Sequence, residues 1–119
     1  MATVLIIEDE VNMAELIKER LEDKGYKALI AYTGDSGLKI VSINNPDAIT
    51  LDIHLPDMNG IEILKMLKKD KGNSSIPVIV VTSDDTKEKE CKEYKADGFV
   101  KKPINFKRLK EIIDLALKK

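Results

Sequence analysis

Five side chains at four places in the chain could do chemistry together: Glu8 with Asp9, Asp52, Thr82 and Lys102. Each stands where a short apolar run gives out. Glu8-Asp9 follows Val4-Leu5-Ile6-Ile7, and Asp52 closes the run from Ala48 to Leu51. Thr82 follows Val78 to Val81, and Lys102 comes soon after Phe99-Val100. Carboxylates gathered in one pocket repel: two unit charges about 4 Å apart interact by roughly 4 kcal/mol at an effective dielectric near 20. Such a pocket must take up protons or hold a cation. Oxygen ligands without histidine or cysteine side chains suit Mg²⁺, which keeps several waters and pairs with phosphate oxygens. A hydroxyl from Thr82 and a mobile cation from Lys102 complete what a phosphoryl transfer needs: an attacking carboxylate at Asp52, a metal and two further donors.

Taken singly, each of these residues has a plainer reading. An acid at a strand end serves as a helix cap or a solvated loop residue. Thr82 alone is a β-former, and Lys102 alone a surface lysine. His54, the one histidine, is read as structural or solvated, Phe99 as core, and Cys91 as a small buried apolar residue. The joint placement carries the chemical reading, and it requires that all four strand ends meet at one edge.

The rest of the chain supplies elements that could bring them there. Continuous apolar runs, at Val4–Ile7, Ala28–Ala31, Ala48–Leu51, Val78–Val81 and Phe99–Val100, read as strands buried on both faces, as in a parallel sheet. Helical spacing separates them. Met13, Leu16, Ile17 and Leu21 form one stripe, stopped by Gly25, and a weaker helix over 36–43 turns Leu38 and Val41 inward before Asn44-Asn45-Pro46. Gly60, Ile63, Leu64 and Leu67 form a third helix after the Pro56 to Gly60 loop. Residues 85–96 read as a fourth, with only Cys91, Tyr94 and Ala96 as anchors, and so as the least firmly held. Phe106, Leu109, Ile113, Ala116 and Leu117 make the fifth. Strand and helix alternating five times argue for an α/β fold with a parallel sheet between helices, in which a site lies outside the carboxyl edge where strand order reverses.

Composition narrows the partners. The 119 residues fit one domain, with 43% hydrophobic and 34% charged residues. A formal net charge of −1 gives no global basic field, so neither direct nucleic acid binding nor a membrane surface is expected. Cys91 alone forms neither an intramolecular disulfide nor a cysteine zinc site. With no membrane-length apolar run and no signal-like start, a cytoplasmic location is expected by elimination.

These pieces, in their order and spacing, resemble a response-regulator receiver domain of the chemotaxis CheY type. The matching stretches are Val4 to Glu10, Leu51 to Gly60, Pro77 to Ser83 and Ala96 to Pro103. The resemblance implies a doubly wound, flavodoxin-like sheet of five parallel strands in the order 2-1-3-4-5 with five helices, one receiver domain spanning 1–119. It implies that Asp52 is the phosphoacceptor. Asp9 and Asp52 would bind Mg²⁺ directly, the His54 backbone carbonyl would be a third ligand, and Glu8 would assist, commonly through water. Thr82 and Lys102, the latter followed by Pro103, would hold phosphoryl oxygens. Phe99 would be the switch aromatic that turns inward as Thr82 moves, and the last two helices with the fifth strand would form the readout face.

Three departures stand out. Glu8 is longer than the aspartate usual at its place. Lys95 stands where glycine is frequent, at a cost on the order of 1 kcal/mol if the backbone there is left-handed. His54 occupies a position that tunes dephosphorylation. The expected function is a phosphoacceptor module in a two-component phosphorelay. It would be charged by a sensor histidine kinase or a histidine phosphotransfer protein, and would act on a downstream target or on an output domain missing from a chain that ends after its last helix. It would not be an enzyme beyond its own phosphorylation and slow dephosphorylation. Two alternatives stand beside this. One is a degenerate receiver that only binds partners. The other is an aspartyl phosphohydrolase resembling the haloacid dehalogenase class, which needs a second aspartate where His54 stands.

Overall fold

In a computed structural model, which describes residues 1–118, the alternation expected from the sequence is realised element by element. The strands are β1 (Thr3–Ile7), β2 (Lys27–Ala31), β3 (Ala48–Leu51), β4 (Val78–Thr82) and β5 (Gly98–Lys101). The helices are α1 (Val11–Asp23), α2 (Gly34–Asn44), α3 (Gly60–Lys69), α4 (Glu88–Glu93) and α5 (Phe106–Leu117). All five strands are parallel, in the order β2-β1-β3-β4-β5.

The continuous apolar runs are explained by two cores, one on each side of the sheet. Strand side chains alternate between them. Leu5, Ile7, Ile49, Leu51, Val78 and Val80 pack with the α3 residues Ile61, Ile63, Leu64 and Leu67. Val4, Ile6, Ala48, Ile79, Val81 and Val100 pack with Ile17 and Leu21 of α1 and Leu109 and Ile113 of α5. A strand covered on both faces has no polar side to show, which is why periodicity two is absent from the sequence.

The helices differ from expectation in detail. Leu16 is exposed, and Ala14 joins Ile17 and Leu21 in the buried stripe of α1. Leu16 lies about 100° off that stripe, one residue's rotation from Ile17. The helix expected over 85–96 is shorter: a single 3₁₀ turn, Asp85–Lys87, leads into the six residues of α4. Cys91 is the one buried side chain of α4, too little apolar surface to hold further turns against the sheet. Tyr94 ends the helix, and Lys95 is left-handed with φ +67°.

Candidate functional site

The carboxyl edge of the sheet is pinned by backbone bonds that run past the strands. Glu8 N donates to Ala31 O at 3.0 Å, Asp52 N to Ile7 O at 3.0 Å, and Lys102 N to Thr82 O at 2.9 Å. Ile7 pairs with Leu51, so the residues after them, Glu8 and Asp52, emerge side by side. Carboxylate oxygens of Glu8, Asp9 and Asp52 lie within 4.8 Å of one another. Glu8 and Asp52 are buried and Asp9 is exposed.

Lys102 leaves the end of β5 and reaches across β4 to both buried acids. Its Nζ donates to Glu8 Oε1 at 2.5 Å and to Asp52 Oδ2 at 2.9 Å. Burial works against the lysine's charge, but its contacts with the two carboxylates outweigh it and hold its pKa above the ordinary lysine value. Burial pushes the Glu8 carboxyl up, only partly offset by Lys102 and by the Glu10 N–H, which donates to Glu8 Oε2 at 3.2 Å. One ammonium among three carboxylates leaves the cluster short of positive charge. The donor set is all oxygen, partly open through Asp9, and suits Mg²⁺ in its chemistry.

Thr82 is fully buried, and its Oγ1 accepts from Asp84 N at 3.3 Å. The loop after Asp52 is equally defined. His54 N donates to Asp52 Oδ1 at 3.3 Å, Gly60 N donates to Ile53 O at 2.7 Å, and His54 bridges Asn59 in antiparallel fashion. Asn59 caps α3 through Ile61 N. The His54 ring contacts Asp84, its Nε2 donating to Asp84 Oδ2 at 3.1 Å. Phe99, on β5, is half-buried against the α3 side of the core.

The structure thus brings Glu8, Asp9, Asp52 and Lys102 together, with Thr82 on the neighbouring strand end. Two residues with roles here were not singled out from the sequence. Asp57 caps α2, accepting from Gly34 N at 2.8 Å and Asp35 N at 2.9 Å. Those two bonds draw its carboxyl pKa down. Its partners lie more than twenty residues upstream, and no local pattern could reveal them. Asp84 caps the 3₁₀ turn before α4, and an aspartate directly before a helical stretch was a readable cap signal.

Comparison with known proteins gives this arrangement its family. The sequence model of the response regulator receiver domain matches residues 4–114. The chain belongs to the response regulator receiver family. Receivers are signalling modules of two-component systems, and this receiver is 37% identical over 111 residues to the response regulator ArlR of Staphylococcus saprophyticus, covering 92% of this chain and 49% of that protein. It is 35% identical over 114 residues to the polar-differentiation response regulator DivK of Brucella ovis, covering 93% and 92% of the two chains. The receiver therefore spans about half of ArlR and nearly all of DivK. Among solved structures, response regulator TrrA of Thermotoga maritima, in complex with Mg²⁺ and BeF, superposes with a TM-score of 0.91 at 32% identity, covering 98% and 100% of the chains. The chemotaxis response regulator CheY4 of Vibrio cholerae gives 0.90 at 27%, covering 98% and 99%. The expected CheY-like fold and strand order are those observed. No helix among the described residues is long and apolar enough to cross a membrane.

Proposed function

We propose that this receiver accepts a phosphoryl group on Asp52 from the phosphohistidine of a sensor kinase or histidine phosphotransfer protein. The observation that carries the reading is the buried Asp52 carboxylate, beside two further acids and in direct contact with the Lys102 ammonium. An Asp52 oxygen attacks phosphorus as the P–N bond breaks, and the donor imidazole takes up a proton. Lys102, already 2.9 Å from Asp52 Oδ2, stays with the growing anionic charge, and Thr82 turns its hydroxyl to another phosphoryl oxygen. Asp9, Asp52 and the His54 carbonyl would hold Mg²⁺, with Glu8 assisting; bound there, the ion neutralises equatorial oxygens of the transferring group. Water later hydrolyses the acyl phosphate and releases inorganic phosphate.

The product adds about −1.5 to −2 charges at one point of the sheet edge. Movement of Thr82 opens space for Phe99, which lines a groove of about 320 Å³ with Cys91, Arg108, Ile112 and Leu115 between α4, β5 and α5. That face is the readout surface for a downstream protein or output domain, and a modest differential affinity shifts its two-state population.

Intact-mass measurement after incubation with acetyl phosphate tests the proposal. One phosphoryl adduct is expected, dependent on Mg²⁺ and absent in Asp52→Asn. A folded protein that neither gains mass nor releases phosphate from the donor overturns it.

A further inference from the structure

We infer that the groove between the C-terminal ends of α3 and α4 binds an acidic, apolar-bearing segment of a partner protein, an inference independent of the phosphoacceptor reading above. The groove, about 180 Å³, is lined by Lys65, Lys68, Lys69, Glu93, Tyr94 and Lys95. Its lining carries four lysines and one glutamate, in a chain whose formal net charge is −1. It lies at the amino edge of the sheet, because Lys68 Nζ donates to Ile76 O at 3.1 Å and to Asp97 Oδ2 at 2.7 Å, and those residues lead into β4 and β5. That is the opposite edge from Asp52. The groove also shares no lining residue with the one that Phe99 lines.

The four lysines are not alike. Lys68 is spent inside the fold, with 12% of its side chain exposed. The Lys65 ammonium stands 4.4 Å from the centre of the Tyr94 ring and fixes that ring at the wall of the groove. Lys69 and Lys95 are exposed, and neither has an acidic partner among the described residues. Lys69 lies in the last turn of α3, where the helix dipole favours a cation. Lys95 has no such account. It stands past the end of α4 at φ +67°, a backbone region that favours glycine. A lysine kept there against backbone strain, with its side chain lining a groove, points to recognition rather than to stability.

The exposed apolar side chains nearby define the occupant further. Tyr94 is 36% exposed and Met66 48% exposed. Met66 stands three residues before Lys69 and so beside it on the helix surface. Apolar side chains set among free lysines suit a segment that brings carboxylates and apolar side chains together, laid between two helices. Glu93 selects against a nucleic acid or an anionic lipid surface: separate carboxylates can be placed clear of it, whereas closely spaced phosphates cannot. The lining also lacks an arginine to pair with phosphate in bidentate fashion.

Titration with a synthetic amphipathic peptide of glutamate and leucine, followed through the ¹⁵N-resolved amide shifts of the native chain, tests this. Shifts are expected at residues 65–69 and 93–95 and not along α5, and added salt should weaken the binding. The same peptide with glutamine in place of glutamate should not bind. Lys69→Gln combined with Lys95→Gly should weaken the acidic peptide roughly tenfold, the effect of two lost surface charges. Lys95→Gly alone should weaken it about threefold. Its urea midpoint should hold or rise, which separates lost binding from lost fold. Shifts confined to other faces, equal binding of the glutamine peptide, unchanged affinity in the double variant, or no binding at all would each overturn the inference. So would a single-stranded oligonucleotide that binds these lysines more tightly than the peptide does. None of these outcomes bears on whether Asp52 takes a phosphoryl group.

Discussion

Two connections leave the carboxyl edge beside Asp52, and they are built in opposite ways. The β3–α3 connection is closed on itself by the Gly60–Ile53 bond and the His54–Asn59 bridge, and Asp57 ties it to α2. It delivers a ten-residue helix with five buried residues. The β4–α4 connection passes through a 3₁₀ turn into a six-residue helix with one buried side chain. On the reading proposed above, the first would hold Asp52 in place for phosphoryl transfer, and the second, with less buried surface, would be the one to yield. A switch of this kind needs both, because a site that moved as a whole would pass on no strain, and one that could not move at all would signal nothing.

The largest effect should come from breaking the rigid side. A Cβ at Gly60 would lie 2.3 Å from the Asp52 carbonyl oxygen and 2.7 Å from Ile53 Cα, both backbone atoms that cannot step aside. Gly60→Ala is expected to destabilise the fold by about 3 kcal/mol or more, read from the urea midpoint. A loss under half that size would mean the loop is as pliable as its counterpart, and the contrast between the two connections would fail.

Next in size is Lys102→Met. It leaves Glu8 and Asp52 buried without their shared ammonium, and should cost about 2–3 kcal/mol at neutral pH, somewhat below the figure for a fully enclosed pair. Millimolar Mg²⁺ should restore more stability to this variant than to the native protein, since a metal among the three carboxylates replaces the missing charge. Equal stabilisation of both by Mg²⁺ would show that the cluster does not hold the ion.

Glu8 and Asp57 set the site against the scaffold in their pH behaviour. The Glu8 pKa is raised in the fold, chiefly by burial, so its contribution is full below the ordinary glutamate pKa and is lost as pH rises through the folded value. The Asp57 pKa is lowered by the α2 amides, so its contribution is present above the ordinary aspartate pKa and is lost as pH falls through the folded value. Melting curves from pH 3 to 8 should therefore change in opposite senses. Glu8→Gln removes a decline that sets in above about pH 4.5, and Asp57→Asn removes a loss below about pH 4. Mg²⁺ should diminish the Glu8 effect and leave the Asp57 effect unchanged.

The same contrast explains what could be read in advance. Strands buried on both faces and helices with five inward residues announce themselves, so β1, β3, β4 and α3 were legible, as was the convergence of Glu8, Asp9, Asp52 and Lys102. The α4 segment was overextended because 85–96 has helical composition, and composition does not reveal that a single cysteine anchors it. Asp57 was illegible for a different reason: its role is a tertiary cap on a helix earlier in the chain. Asp84 was legible in part, as a cap, but its bond to His54 across two connections is a fact of the fold alone.

The smallest effect lies at the far end of the yielding connection. Lys95 holds φ +67°, a backbone region that costs an L side chain about 1 kcal/mol and costs glycine almost nothing. Lys95→Gly relieves that strain but gives the unfolded chain more freedom, which takes back part of the gain. The net expectation is a stabilisation of roughly 0.5 kcal/mol, visible as a small upward shift of the urea midpoint with unchanged slope. Lys95 N donates to Lys92 O, and Ala96 N to Cys91 O, so the bend at 95 closes the end of α4. Relief should therefore slow exchange of the amides at 94–96 more than those at 61–67 in α3. If the gain spread evenly over both helices, the two connections would be one cooperative unit, and α4 could not be released while α3 stayed in place.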